Sequence, residues 1–215
     1  MSHKYVSEIL SDHYRKTFRE YGATSKGVDW GDKECSAKLR QEVMLEVIKK
    51  NNQHSTILDV GCGYGALADA IQEKQLSLSY TGIDIVHEMV REGKRRHPNY
   101  SFVCGDILNT DMGKYDYVVC NGILTQKLKT SILEMNEFAQ SLVKLMYGIC
   151  KIGIAFNLMT TYVNFQRDNL YYRNPSEMLS WCMSELTPHV RLNCAYDLWY
   201  EYTVYLYKPE IVRKI

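Results

Sequence analysis

One acidic residue followed by glycines at alternate positions stands out in the chain: Asp59-Val60-Gly61-Cys62-Gly63-Tyr64-Gly65. The apolar pair Ile57-Leu58 precedes it, and a helical pattern begins at Ala66. Apolar run, acid, glycine turn and helix start read as a strand, a tight loop and a helix. Glycines adopt backbone angles closed to other residues and let a ligand lie against the chain. Asp59 ends the strand, at the edge where open α/β sheets bind ligands. The spacing is not the G-x-G-x-x-G of a loop that cradles a pyrophosphate. A carboxylate here would repel phosphate and attract an ammonium group.

Two further acids end apolar stretches. Asp84 closes Ser79–Asp84, and Asp106-Ile107 follows Tyr100–Cys104 and Gly105. An acid ending the second strand of such a unit can accept hydrogen bonds from ribose hydroxyls. Asp59 to Gly65 resembles motif I, D/E-x-G-x-G-x-G, of class I S-adenosylmethionine-dependent methyltransferases, and the resemblance extends in order over residues 34–207. It implies that Asp59, Gly61, Cys62, Gly63 and Gly65 approach the methionine part of the cofactor. It also implies that Asp84 holds the ribose, that Ile85 flanks the adenine, and that Asp106 and Ile107 read that base. Asn121 and Gly122, at the end of Tyr115–Cys120, then stand beside the transferable methyl. The implied cofactor is S-adenosylmethionine, with S-adenosylhomocysteine as product and no metal. The D/N-P-P motif of many nucleic-acid amino-methyltransferases is missing, since Gly122 and Ile123 occupy the proline positions. Cys120 lacks the preceding proline of cytosine-C5 enzymes and reads as core.

The elements that must carry these residues follow from periodicity. Apolar residues at helical spacing predict helices over 34–51, Ala66–Lys74, Val86–His97 and Ile132–Ile149, and another opened by Asn174-Pro175. Strands are expected at Thr56–Val60, Ser79–Asp84, Tyr100–Cys104, Tyr115–Cys120 and Ile152–Leu158. Val190–Tyr196 and Leu198–Tyr207 alternate on period two and predict an antiparallel hairpin at the sheet edge. The fold class is α/β: a Rossmann-like three-layer α/β/α sandwich. Its seven-stranded, mostly parallel sheet would have order 3-2-1-4-5-7-6, with the last strand antiparallel. A single domain over 1–215 is expected, with 1–33 an N-terminal lid or edge segment and 34–215 the core.

Composition limits the partners. The net charge of +1 gives no electrostatic case for a nucleic-acid polyanion or an anionic membrane. Nothing approaches the ~20 apolar residues of a bilayer span. Seven cysteines without a C-x-x-C pair suggest a reduced, cytoplasmic setting. The 17 tyrosines are expected mostly as half-buried rings with surface hydroxyls.

The acceptor site is expected at the loop after the fifth strand and at the N-terminal loop: Trp30, Tyr162, Arg167, Asp168, Tyr171 and Tyr172. Asn121, Tyr162 and Asp168 are the candidates for groups at the reacting atoms. Lys26–Trp30 and Tyr196–Glu201 resemble small methyltransferases of bacterial surface-polysaccharide clusters. The favoured function is methyl transfer to an oxygen or nitrogen of a small molecule or glycan precursor, by a monomer or homodimer. A protein or RNA methyltransferase, and a non-catalytic cofactor-binding protein, are the competing readings.

Overall fold

The chain alternates strand and helix from Ser55 onward, and that alternation builds a sheet covered on both faces. The computed structural model describes residues 2–49, 54–198 and 200–209. Helices α1 (Ser2–Tyr21) and α2 (Glu34–Leu45) precede strand β1 (Ser55–Val60). Then come α3 (Ala66–Glu73), β2 (Leu78–Asp84), α4 (His87–Arg96), β3 (Ser101–Cys104) and β4 (Tyr115–Cys120). The chain continues with α5 (Ile132–Ile149), β5 (Cys150–Thr160), β6 (Tyr172–Arg173), α6 (Pro175–Glu185), β7 (Val190–Asn193) and β8 (Glu201–Tyr207).

The sheet order is β3-β2-β1-β4-β5-β8-β7, with the two-residue β6 pairing alongside β5. β8 runs antiparallel to both β5 and β7, and the other pairings are parallel. With β6 set aside, this is the expected order. The register aligns Asp59 with Gly82 and Val60 with Cys120, so the carboxyl ends of β1, β2 and β4 lie side by side. Side chains alternate across β1 and β4. Leu58, Val60, Val118 and Cys120 join α1, α5 and α6 in one core, and Ile57, Tyr117 and Val119 join α2 and α3 in the other.

α1 is a core helix, not an edge helix. Val6, Ile9 and Leu10 are buried, and Val6 and Leu10 pack in the α5 core. The β3–β4 connection, residues 105–114, carries no helix, and α1 covers this face of the sheet.

Several expected boundaries move. The helix predicted over 34–51 ends at Leu45 and gives way to a turn, while residues 50–53 lie outside the described residues. β8 takes the inner place of the edge hairpin, as the expected order has it. It sits between β5 and β7 and is buried on both faces, and β7 forms the edge. Its start shifts from Leu198 to Glu201 because Tyr200 adopts a left-handed turn with φ 72°; Trp199 is outside the described residues. Tyr117, Tyr171, Tyr202 and Tyr205 are fully buried, not half-buried. Their rings fill space between the sheet and its helices, and Tyr205 donates its hydroxyl to the Val43 carbonyl at 2.8 Å. Among the described residues no helix is long and apolar enough to cross a membrane.

Candidate active site

The carboxyl ends of β1, β2 and β4 open into one cleft with about 960 Å³ of empty space, part of it open to solvent. The glycine loop forms its floor. Gly61 and Cys62 donate their backbone N–H groups to the Ile83 carbonyl at 2.8 and 3.1 Å, which ties the loop to β2. Gly63 takes φ +54°, and its missing Cβ leaves the space between the loop and Val28 open for a ligand.

Asp84 fastens the same loop. Its Oδ2 accepts from Gly63 N and its Oδ1 from Val86 N, both at 2.8 Å. Burial raises its pKa despite these two hydrogen bonds. Asp59 is 3% exposed and accepts from the Tyr80 hydroxyl at 2.9 Å. Burial pushes its pKa up to about 7, and the nearby Asp84 carboxylate adds to the rise. Asp106 serves its own turn: Leu108 N donates to Oδ1 at 3.0 Å and Asn109 Nδ2 to Oδ2 at 2.9 Å.

All three carboxylates face the cleft, and among the described residues no Lys, Arg or His lines it. An acidic wall without a cationic partner, its Asp59 buried and its Asp84 and Asp106 half-buried, is complementary to a ligand that brings its own positive charge.

Ile85, Ile107, Asn121 and Gly122 also line the cleft, as does Trp30 from the N-terminal loop. Gly65 does not. It begins α3 with φ +92°, and its α-carbon packs against Phe102 and His97 instead. Nor do the five loop residues expected at the acceptor reach the cleft. Tyr162 is 69% exposed. Arg167 lies over the Phe165 ring, and its backbone N–H donates to the Tyr172 hydroxyl at 3.1 Å. Asp168 is exposed beside them. Tyr171 is buried in the α5 core, its hydroxyl 2.6 Å from Asn136 Oδ1. This loop is held by backbone bonds to the segment after β4, including Tyr171 N to Thr125 O at 2.8 Å.

The cleft also takes in residues that the sequence does not single out as site residues, two of them, Leu10 and Tyr14, from the segment expected as a lid or edge. Ser7, Leu10 and Tyr14 come from one face of α1, Gln41 from α2, and Phe138 and Leu142 from α5. The spacing of Ser7, Leu10 and Tyr14 at three and four residues was the available signal. Burial, with the carboxylates of Asp29 and Asp84 nearby, holds the Tyr14 hydroxyl far above its ordinary pKa. It therefore stays protonated and can donate. Asn121 Nδ2 donates to Gln41 Oε1 at 3.3 Å, which leaves the buried Asn121 Oδ1 without a partner.

The wall formed by α1 and the N-terminal loop is latched at several points. Asp29 Oδ2 lies 2.8 Å from His13 Nε2 and accepts from Gln126 Nε2 at 2.9 Å. Gln126 Oε1 in turn accepts from Asn169 Nδ2 at 3.0 Å. At the far end of α1, Arg19 pairs with Glu88 of α4 at 2.6 Å.

Comparison with known proteins agrees with this geometry. Residues 57–144, from β1 into α5, match the family described as the methyltransferase domain. A Mycobacterium tuberculosis protein named as a methyltransferase, Rv1506c, is 32% identical over 158 residues, covering 71% of this chain and 93% of its own length. The fold resembles magnesium protoporphyrin IX methyltransferase from Synechocystis PCC 6803, solved with bound S-adenosylhomocysteine. There the TM-score is 0.66 at 15% identity, over 97% of this chain and 100% of that one. It also resembles phosphoethanolamine N-methyltransferase 1 of Haemonchus contortus, with a TM-score of 0.63 at 12% identity, over 97% of this chain and 51% of that one. This chain belongs to the S-adenosylmethionine-dependent methyltransferase family.

Proposed function

We propose that this methyltransferase transfers the cofactor's methyl group to an amine or acidic hydroxyl of a small molecule held in the cleft. The carrying observation is the acidic, cation-free lining under a roof made by α1 and Trp30. A cofactor bearing a sulfonium and an ammonium group complements the carboxylates. Asp59 would sit by the ammonium, Asp84 by the ribose and Ile85 and Ile107 by the adenine, with the Gly61–Gly63 loop beneath the methionine part. Bound there, the cofactor supplies an electrophilic methyl, and no metal is needed to activate it.

The chain's own residues position and dehydrate. Asn121 Oδ1 is held by Gln41 so that it can accept from the acceptor's N–H or O–H. Tyr14, kept protonated, can donate to the acceptor from the opposite wall. Apolar side chains of Leu10, Ile123, Phe138 and Leu142 exclude water from the same space. No His or Lys lines the cleft among the described residues, which favours an acceptor that is nucleophilic without a strong base. A glycan precursor qualifies if its methylated group is of this kind. A net charge of +1 gives the chain as a whole little electrostatic attraction for RNA.

Incubation with methyl-labelled S-adenosylmethionine and separate pools of amines, phenols, nucleotide sugars, RNA and protein tests this reading. Label should enter a small-molecule pool, and Tyr14→Phe should lower kcat on that acceptor about tenfold or more while leaving S-adenosylhomocysteine affinity unchanged. Label entering only RNA or protein would refute it.

A further inference from the structure

Two stretches far apart in the chain, Lys26–Trp30 and Tyr196–Glu201, are joined by one side chain of α2. The Arg40 guanidinium lies over the Trp30 ring, 5.3 Å from its centre. Arg40 Nε donates to both carboxylate oxygens of Glu201 at 3.0 Å, and its Nη2 donates to Glu201 Oε1 as well. Glu201 Oε2 then accepts from Asn157 Nδ2 at 3.3 Å. Asn157 Oδ1 accepts from the Gly122 backbone N–H at 2.8 Å. Gly122 closes the circuit: a Cβ built on it would stand 2.8 Å from Trp30 Nε1. The path runs Trp30, Arg40, Glu201, Asn157, Gly122 and back to Trp30.

The circuit is buried at Glu201, Asn157 and Gly122 and half-buried at Arg40 and Trp30. Glu201 is 8% exposed and Asn157 is 2% exposed, and the Arg40 side chain is 15% exposed. A buried ion pair adds little net stability, because desolvating both ions offsets their attraction. What it supplies is direction. A guanidinium that grips a carboxylate with two nitrogens has a fixed plane, and that plane carries the indole. The other end of the circuit holds Gly122 at φ +100°, a conformation that suits glycine, directly after Asn121.

We propose that Arg40 and Glu201 are positioning residues that set Trp30 over Gly122 as the wall of the acceptor pocket. They act through Trp30 and touch neither cofactor nor acceptor. The role rests on the reading of the cleft as a methyl-transfer site, but the placement of Trp30 can be measured without an acceptor.

In a Trp181→Phe, Trp199→Phe background, Trp30 is the sole remaining tryptophan of the three. Acrylamide quenching of its emission and calorimetric titration with S-adenosylhomocysteine are then compared with and without Arg40→Lys. Lysine keeps the charge beside Glu201 but loses the flat double donor. The expected result is a cooperatively folded variant whose quenching constant rises about twofold or more. Its S-adenosylhomocysteine affinity should stay within about threefold of the parent, because Asp59 and Asp84 are untouched. Glu201→Gln, which keeps the shape of the side chain, should give the same pattern and is the decisive variant if Arg40→Lys does not fold. Unchanged quenching with a lowered melting temperature would overturn the proposal and leave the pair as a tie between α2 and β8. A loss of S-adenosylhomocysteine affinity beyond about tenfold, or 1.4 kcal/mol, would also overturn it, assigning the circuit to the cofactor side. Failure of the parent itself to bind S-adenosylhomocysteine would count against the methyl-transfer reading, and the quenching comparison would still decide where Trp30 is held.

Discussion

Asp59 carries an energetic cost that its fold alone does not explain. Its carboxyl is buried, faces Tyr80, Asp84 and the thiols of Cys62 and Cys120, and titrates at about 7 instead of 3.8. Below pH 3.8 the group is neutral in the folded and unfolded chain alike. Between that value and about 7 the unfolded chain ionises first, so stability falls as pH rises through the window and then levels off. The cost above the window is on the order of 4 kcal/mol. Asp59→Asn should therefore flatten the pH dependence of urea-unfolding stability between pH 4 and pH 7, with the variant gaining on wild type as pH rises. A cationic ammonium placed by Asp59 reverses the preference and draws the proton off. Binding of S-adenosylhomocysteine at about pH 6 should release protons, read as a dependence of the binding heat on buffer ionisation enthalpy. The release should shrink in Asp59→Asn. A heat independent of buffer would separate Asp59 from the ammonium.

At the scale of elements, α1 is both a cleft wall and part of the core. Ser7, Leu10 and Tyr14 line the cleft, while Val6 and Ile9 are buried with Leu10. Leu10→Ala should cost about 2–5 kcal/mol in urea unfolding. Tyr5→Ala, at a 43% exposed position of the same helix, should cost well under that. Equal and small effects would make α1 a detachable flap. The dual role was only half legible in the sequence. Spacing of Ile9, Leu10 and Tyr14 predicts a helix, but the space it fills depends on the absence of a helix between β3 and β4, a tertiary fact. The strands and the glycine loop were legible because their signals are local: apolar runs, acids at or just past the ends of the first three strands, glycines where the backbone turns. The packing of the loop after β5 was not. Its residues are polar and aromatic, yet Tyr171 turns into the core and Tyr172 braces Arg167. Composition cannot tell a satisfied loop from a binding one, and the partners of Trp30 lie on α2 and β8.

For the whole molecule, the two cores meet at a sheet whose carboxyl edge gathers every acid of the cleft. A ligand that binds only this folded arrangement must stabilise it. Saturating S-adenosylhomocysteine at about 100 times its Kd should add about 2.7 kcal/mol. For a chain of this size that is a rise in Tm of about 5–10 °C. The exposed Arg19–Glu88 latch, by contrast, should contribute at most ~1 kcal/mol, so Arg19→Ala should move the unliganded Tm only slightly.

The central claim is that the acidic cleft at the ends of β1 and β2 holds the methyl donor. Calorimetric titration of the wild-type chain and of Asp84→Ala with S-adenosylhomocysteine tests it most directly. The account predicts one site per chain with micromolar affinity in wild type, and a loss of about 100-fold or more in a folded Asp84→Ala. Absence of binding by folded wild-type protein, or equal binding by the variant, would contradict it.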